Sequence, residues 1–166
     1  MDDRSFMELA LSQAQAALEA GEFPVGCVAV AGGRVLATGS RTGTAGGGRN
    51  ETDHAEMLAL RQLEHIDPIA PPSEIAFYCT LEPCLMCFGG ILIRGIGRIV
   101  YAYEDIMGGG AQCDRSQLAP LYRDRTLEIV SGVLRAQSLT LFKLFFQNPE
   151  NRYWHDSLLA RYTLAQ

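Results

Sequence analysis

Apolar residues near the start of the chain recur at helical spacing. Phe6, Leu9, Ala10, Ala14, Ala17 and Leu18 share one side of a helical period and Gly21 supplies a stop, which predicts an amphipathic helix over Ser5–Ala20. The period then changes. Val25–Ala31 and Val35–Thr38 are apolar and partly β-branched, and the Gly32-Gly33 pair between them predicts an antiparallel hairpin. Arg41–Asn50 is rich in glycine and predicts a flexible loop; it lacks the Gly-Lys-Ser/Thr ending that a phosphate-binding loop requires. Helical spacing resumes over Asp53–Glu64 through Met57, Leu58 and Leu60, and Pro68, Pro71 and Pro72 break the chain after it.

Ile75–Leu81 has the length and composition of a buried strand, Cys84–Arg94 reads as a helix opened by Pro83, and Arg98–Tyr103 reads as another strand. Strand, helix, strand in that order implies a right-handed parallel crossover. Leu127–Val130 predicts a fifth strand, Ala136–Phe146 a helix, and the segment after Pro149 a last helix. The expected fold class is therefore α/β: a three-layer α/β/α sandwich on a five-stranded mixed sheet. Residues 1–166 are expected to form a single domain, with about 149–166 as a helical extension.

Composition narrows the function classes. Hydrophobic residues make up 48% of the chain and charged residues 20%, which excludes a mainly disordered or collagen-like protein. The net charge of −5 argues against a general electrostatic grip on phosphate backbones. The first residues, Met1-Asp2-Asp3-Arg4, are acidic where a secretory signal is basic, and no apolar run is long enough to span a bilayer. A cytoplasmic protein without a membrane partner is expected. Its five cysteines are then read as thiols serving a metal or catalysis rather than disulfides.

Two fragments carry the candidate chemistry: His54-Ala55-Glu56 at the start of the second helix and Pro83-Cys84-Leu85-Met86-Cys87 at the start of the third. Residues three apart share a helix face, so Cys84 and Cys87 can point at one ion and His54 can supply a third ligand. Two thiolates with one imidazole favour zinc, one ion per subunit. Three ligands leave a position for water, and Glu56, two residues from His54, can take the water proton and return it to a leaving group. A closed structural site would need a fourth ligand, for which Cys27, Cys79, Cys113 and His65 are the possibilities. Cys27 and Cys79 otherwise read as small buried hydrophobes, and His65 and His155 as structural or surface residues. Glu56 also has a structural reading, because Asp53-x-x-Glu56 is a variant of the capping box.

His-x-Glu followed by Pro-Cys-x-x-Cys is the signature of zinc deaminases. Together with Phe23-Pro-Val-Gly26, His54-Ala-Glu-Met-Leu-Ala-Leu-Arg61 and Thr80-Leu-Glu-Pro-Cys-Leu-Met-Cys87, it makes roughly Ser5–Phe146 resemble the tRNA adenosine deaminase and guanine deaminase branch of the cytidine deaminase superfamily. The resemblance implies a central five-stranded sheet flanked by helices, hydrolytic deamination at an amidine-like ring carbon, and a homodimer. It implies zinc on His54, Cys84 and Cys87, proton transfer by Glu56, and a pocket lined near Leu81 and Glu82, with Asp105 near its mouth.

The chain departs from that pattern in three places. Where relatives carry an asparagine after the second strand the corresponding position reads as Ser40, followed by the glycine-rich loop, so Asn50 is a candidate to take over substrate binding, with a mobile lid as the other reading of the loop. Asp53 stands where relatives often carry a small residue, as a cap or as a substrate contact. The tail lacks a basic helix and is aromatic instead, so Tyr153 and Trp154 are candidates to stack on a base or a partner, or to pack with Leu158, Leu159 and Tyr162.

These features lead to an expected small-molecule substrate: a free nucleobase, nucleoside or related aminated heterocycle, with an aminopurine such as guanine favoured. Deamination of tRNA wobble adenosine is the alternative. A zinc-stabilised noncatalytic binding module is a further one.

Overall fold

Asp2 accepts the backbone N–H of Ser5 and so opens α1 (Asp3–Glu19), which runs back across the sheet. The computed structural model describes residues 2–48, 50–66 and 70–166, and Arg49 of the glycine-rich loop and Pro68 of the chain break lie outside the described residues. After α1 come β1 (Gly26–Ala31), β2 (Arg34–Ser40), α2 (Ala55–Leu63), β3 (Ala76–Leu81), α3 (Leu85–Arg94) and β4 (Arg98–Tyr103). A short α4 (Pro120–Arg123), β5 (Glu128–Ser131), α5 (Arg135–Gln147) and α6 (Leu158–Ala165) complete the order.

The five strands form one mixed sheet in the order β2-β1-β3-β4-β5. β1 is antiparallel to β2 and β3, whereas β3, β4 and β5 are parallel, as the crossover through α3 requires. Alternation along the central strands sorts the core into two clusters. Cys27, Ala29, Phe77, Cys79, Ile99 and Tyr101 pack with Ala55, Ala59, Phe88 and Ile91 of α2 and α3. Val28, Val30, Tyr78, Val100 and Ala102 pack with Phe6, Met7 and Ala10 of α1. β1 is buried along its whole length because both its faces are covered.

One close approach sets the position of α2. A Cβ on Gly39 of β2 would stand 2.0 Å from the carbonyl oxygen of Ala55, so only glycine lets the first turn of α2 sit on the strand.

The glycine-rich loop is anchored from inside. Glu22 accepts the backbone N–H groups of Gly43, Thr44 and Ala45 and the Thr44 hydroxyl, which in turn accepts the Phe23 N–H. The amides that could have held a foreign anion are already committed to a carboxylate of the same chain.

Two sequence expectations change. Residues 120–123 form a short helix where none is expected. The last helix begins only at Leu158, capped by Ser157, whose hydroxyl accepts the Ala160 N–H. Residues between Asn148 and Ser157 turn instead, which leaves the aromatic pair Tyr153-Trp154 off the helix and free to reach the site.

Candidate zinc site and substrate pocket

His54 and Cys84 occupy equivalent places: each is the residue that caps the N-terminus of its helix, and Cys87 follows in the first turn of α3. Both helices start at the same end of the sheet, where open α/β folds place their ligand crevices. His54 Nδ1 lies 3.5 Å from Cys84 Sγ and 3.6 Å from Cys87 Sγ, and the two sulfurs are 3.6 Å apart. A tetrahedral zinc with Zn–S of about 2.3 Å and Zn–N of about 2.0 Å has edges of roughly 3.5–3.8 Å, so the three atoms form one face of such a tetrahedron.

The protonation states agree with a cation site. The Cys87 thiol bonded to Cys84, against burial and with help from His54, holds Cys84 down at about 4. Cys87 is pushed up by the adjacent Cys84 sulfur and by burial, because two thiolates this close repel. A divalent cation removes that conflict and lets both ionise.

Among the described residues no fourth ligand joins this group. Cys27 and Cys79 are paired across β1 and β3 with sulfurs 3.7 Å apart, fully buried, and burial pushes both thiols up. They behave as the small hydrophobes expected. Cys113 is half-buried away from the cluster, and His65 and His155 are exposed. The three-ligand arrangement leaves the fourth position for water, as in catalytic zinc sites.

Glu56 is the second residue of α2, in its first turn, buried, with Oε2 3.6 Å from Cys87 Sγ. Burial pushes its carboxyl up and the Cys84 charge adds to this, while His54 opposes it. A buried carboxyl so placed is fitted to take and return a proton. It makes no side-chain capping bond; α2 starts at His54 rather than Asp53, which overturns the capping-box reading.

A small cavity opens beside His54, Glu56 and Cys84. Leu81, Glu82, Asp105, Tyr153 and Trp154 line it, as do Phe23 and Val25. Asp105 accepts the N–H groups of Met107 and Gly108 at 2.9 Å, while its own N–H donates to Glu82. Burial pushes both carboxyls up. Tyr153 meets Phe23 edge-on at 5.3 Å and stacks on Trp154 at 5.3 Å, so the aromatic tail packs on the core and roofs the cavity at once.

The structure leaves three named residues out of the wall. Ser40 is the last residue of β2 and points away, since alternation puts Ala37, Gly39 and the next odd position on the inner side. Asn50 spends its amide on Asp53 and its oxygen on the N–H groups of Thr52 and Asp53. Asp53 is drawn outward by Arg61 and Asn50. The residue that fills the place given to Ser40 is Arg41, a buried member of the cavity wall. Extending the β2 alternation by one residue is the signal that could have found it.

Comparison with known proteins adds the family. Residues 1–103 match the model of the cytidine and deoxycytidylate deaminase zinc-binding region. A tRNA-specific adenosine deaminase of Agrobacterium fabrum is 33% identical over 144 residues, covering 86% of this chain and 92% of that one. Among solved structures, a tRNA:A34 deaminase that edits A to I at the wobble position superposes with a TM-score of 0.69 at 34% identity, covering 82% of this chain and 98% of the other. The guanine deaminase of Nitrosomonas europaea superposes with a TM-score of 0.65 at 22% identity over 86% of this chain and 84% of the other, and shares the fold. Three ligands at zinc spacing, a buried carboxyl beside them and a cavity at the helix ends thus belong to a chain whose family is shown. This chain belongs to the cytidine and deoxycytidylate deaminase zinc-binding family and is a zinc-dependent hydrolytic deaminase, not a noncatalytic module.

Proposed function

We propose that this deaminase converts adenosine to inosine in tRNA. The observation that carries the reading is the likeness to a tRNA-specific adenosine deaminase and to a wobble-position tRNA deaminase, both above 30% identical across nearly their whole length. It reverses the order expected from net charge and the absence of a basic tail, which placed small molecules first. The acidic balance bears on the average surface, whereas a stem-loop needs only local contacts around the cavity mouth.

In this reading His54, Cys84 and Cys87 would hold zinc, which when bound would bring the pKa of a water down toward about 7. Glu56 is placed to take a proton from a water that would attack the ring carbon bearing the amino group, and to return a proton to the departing nitrogen. Water adds, ammonia leaves, and the ring keeps an oxo group. The walls at Leu81 and Glu82, with Asp105 at the rim, hold the heterocycle, and Phe23, Tyr153 and Trp154 cover its faces.

A second reading, a free aminopurine, is favoured by one feature: Tyr153 and Trp154 roof the cavity in place. The whole chain is taken as one deaminase unit acting in the cytoplasm, with 149–166 as its extension. A homodimer is supported by Leu85, Met86 and Ile93, apolar and exposed along α3. The test is ammonia release by zinc-loaded protein on an anticodon stem-loop carrying adenosine, and on adenine, guanine, cytosine and their nucleosides, with Glu56→Ala as control. Inosine formed in the stem-loop and lost in the control supports the proposal. Turnover confined to a free base or nucleoside overturns it in favour of the second reading.

A further inference from the structure

Arg41 is 2% exposed, and its guanidinium is shared among three segments of chain. One terminal nitrogen donates to the carbonyls of Thr42 and, at 3.1 Å, of Asp53, the residue before the zinc ligand His54. The other donates to the carbonyl of Asn50 at 2.5 Å. The guanidinium carbon also sits 5.7 Å from the centre of the Tyr153 ring. Tyr153 in turn donates its hydroxyl to Glu51 at 2.7 Å, and the same Glu51 oxygen lies 3.7 Å from Arg41. Arg41, Tyr153 and Glu51 therefore close a ring of contacts that ties the zinc-ligand loop to the aromatic roof.

Two further observations show that the roof needs holding. Trp154, stacked on Tyr153, has φ +54, a left-handed conformation that costs a bulky residue energy unless its surroundings impose it. Tyr153 is also the partition between two spaces: it lines the catalytic cavity and a neighbouring polar groove bordered by Thr44, Gly46, Asn151 and Arg152. Tyr153 thus stands between the cavity and the groove. A base still attached to a chain would have to pass its sugar and flanking phosphate by that wall.

We propose that Arg41 is a specificity-determining residue: by fixing Tyr153 as a wall, it sets how strongly the site favours a free base or nucleoside over a base carried on RNA. The proposal rests on the deaminase reading above and names what selects its substrate.

The experiment uses the zinc-loaded full-length protein and the variants Tyr153→Phe, Glu51→Gln and Arg41→Gln. Tyr153→Phe and Glu51→Gln each remove one anchor conservatively, so the test stands even where Arg41→Gln fails to fold. The first readout is the ratio of kcat/KM for an adenosine stem-loop to kcat/KM for adenosine; where the stem-loop is not turned over, the nucleoside-to-base ratio replaces it. The expected result is a shift toward the larger substrate of about tenfold, the value of one charge-assisted hydrogen bond. The second readout needs no turnover: Trp154 is the only tryptophan in the chain, so its emission reports the roof directly. Emission of the free variants should move to longer wavelength, and their response to purine riboside, which has no amino group to lose, should differ from wild type. Ratios within twofold of wild type in Tyr153→Phe and Glu51→Gln, or a shifted emission with an unchanged ratio, would overturn the proposal. Absence of deamination by wild type on every substrate would count against the proposed function, while the emission shift would still decide whether Arg41 and Glu51 hold the wall.

Discussion

Glu22 and Thr44 are joined twice, the carboxylate accepting the Thr44 backbone N–H at 2.6 Å and its hydroxyl at 2.5 Å. Burial works against ionisation of Glu22, yet the donors from Thr44, Ala45 and Gly43 outweigh it and hold the carboxyl below its ordinary value. The glycine-rich loop is thereby fixed to the end of α1 and carried beside the cavity. Replacing Glu22 by Ala should cost about 1–3 kcal/mol, the range for removing the partner of buried donors. Hydrogen exchange at the amides of Gly43, Thr44 and Ala45 should accelerate more than exchange in β1. Unchanged protection there would mean that the loop is held by something else.

Glu56→Gln keeps the shape of the side chain and removes its ability to take a proton. Turnover should fall by about 10²–10⁴-fold, the span usual for a general acid–base, while zinc content measured by metal analysis stays at one ion per chain. Loss of metal together with activity would show that Glu56 supports the ligands instead.

Zinc removal should destabilise the whole fold, because His54 and Cys84 cap two helices and the three ligands tie α2 to α3. Chelation at neutral pH, or Cys87→Ser, should lower the Tm, and added zinc should restore the chelated wild type but only poorly the variant. An unchanged melting curve after verified metal loss would contradict this.

Gly39→Ala places a methyl group against the carbonyl oxygen of Ala55, a contact that backbone cannot relieve without moving α2. Overpacking of this kind costs typically about 1–3 kcal/mol. Since α2 carries Glu56 and follows His54, kcat should drop as well as Tm. An Ala at Gly33, where a Cβ meets nothing within 4 Å, is the control: φ there is +76, so some stability is lost, but turnover of the folded protein should stay near wild type.

The pH dependence of the C-terminal segment follows from Glu104. Arg135 beside it, with help from the Tyr162 hydroxyl, holds its carboxyl at about 2 against burial. A depressed carboxylate stabilises the fold above its unfolded value of about 4.5 and ceases to do so as pH falls through the folded value. Glu104→Gln should therefore lower stability to urea at pH 7, with a gap that narrows between about pH 4.5 and pH 2. A constant gap across that window would exclude ionisation as its source.

Much of this protein is written locally. The order of strands and helices follows from short-range alternation and helical spacing, and β3 and β4 could be paired in parallel because strand, helix, strand in that order implies a crossover. His54, Glu56, Cys84 and Cys87 could be singled out because zinc chemistry demands few residue types at fixed offsets, each pair on a single helix start. What the sequence left undecided concerns groups that meet across long separations. Asp53 reads as a cap from its neighbours, but Arg61 and Asn50 compete for its carboxylate and win. Ser40 and Arg41 differ by one position, and only the twist and pleat of β2 beside α2 decide which of them enters the cavity. Tyr153 lies far along the chain from Arg41 and Glu51, so their contact appears in no local pattern. The reactive centre is thus determined by short motifs that the sequence displays. The shape of the space around it is set by packing between distant segments, because side-chain direction and competition for hydrogen bonds are settled only when those segments meet.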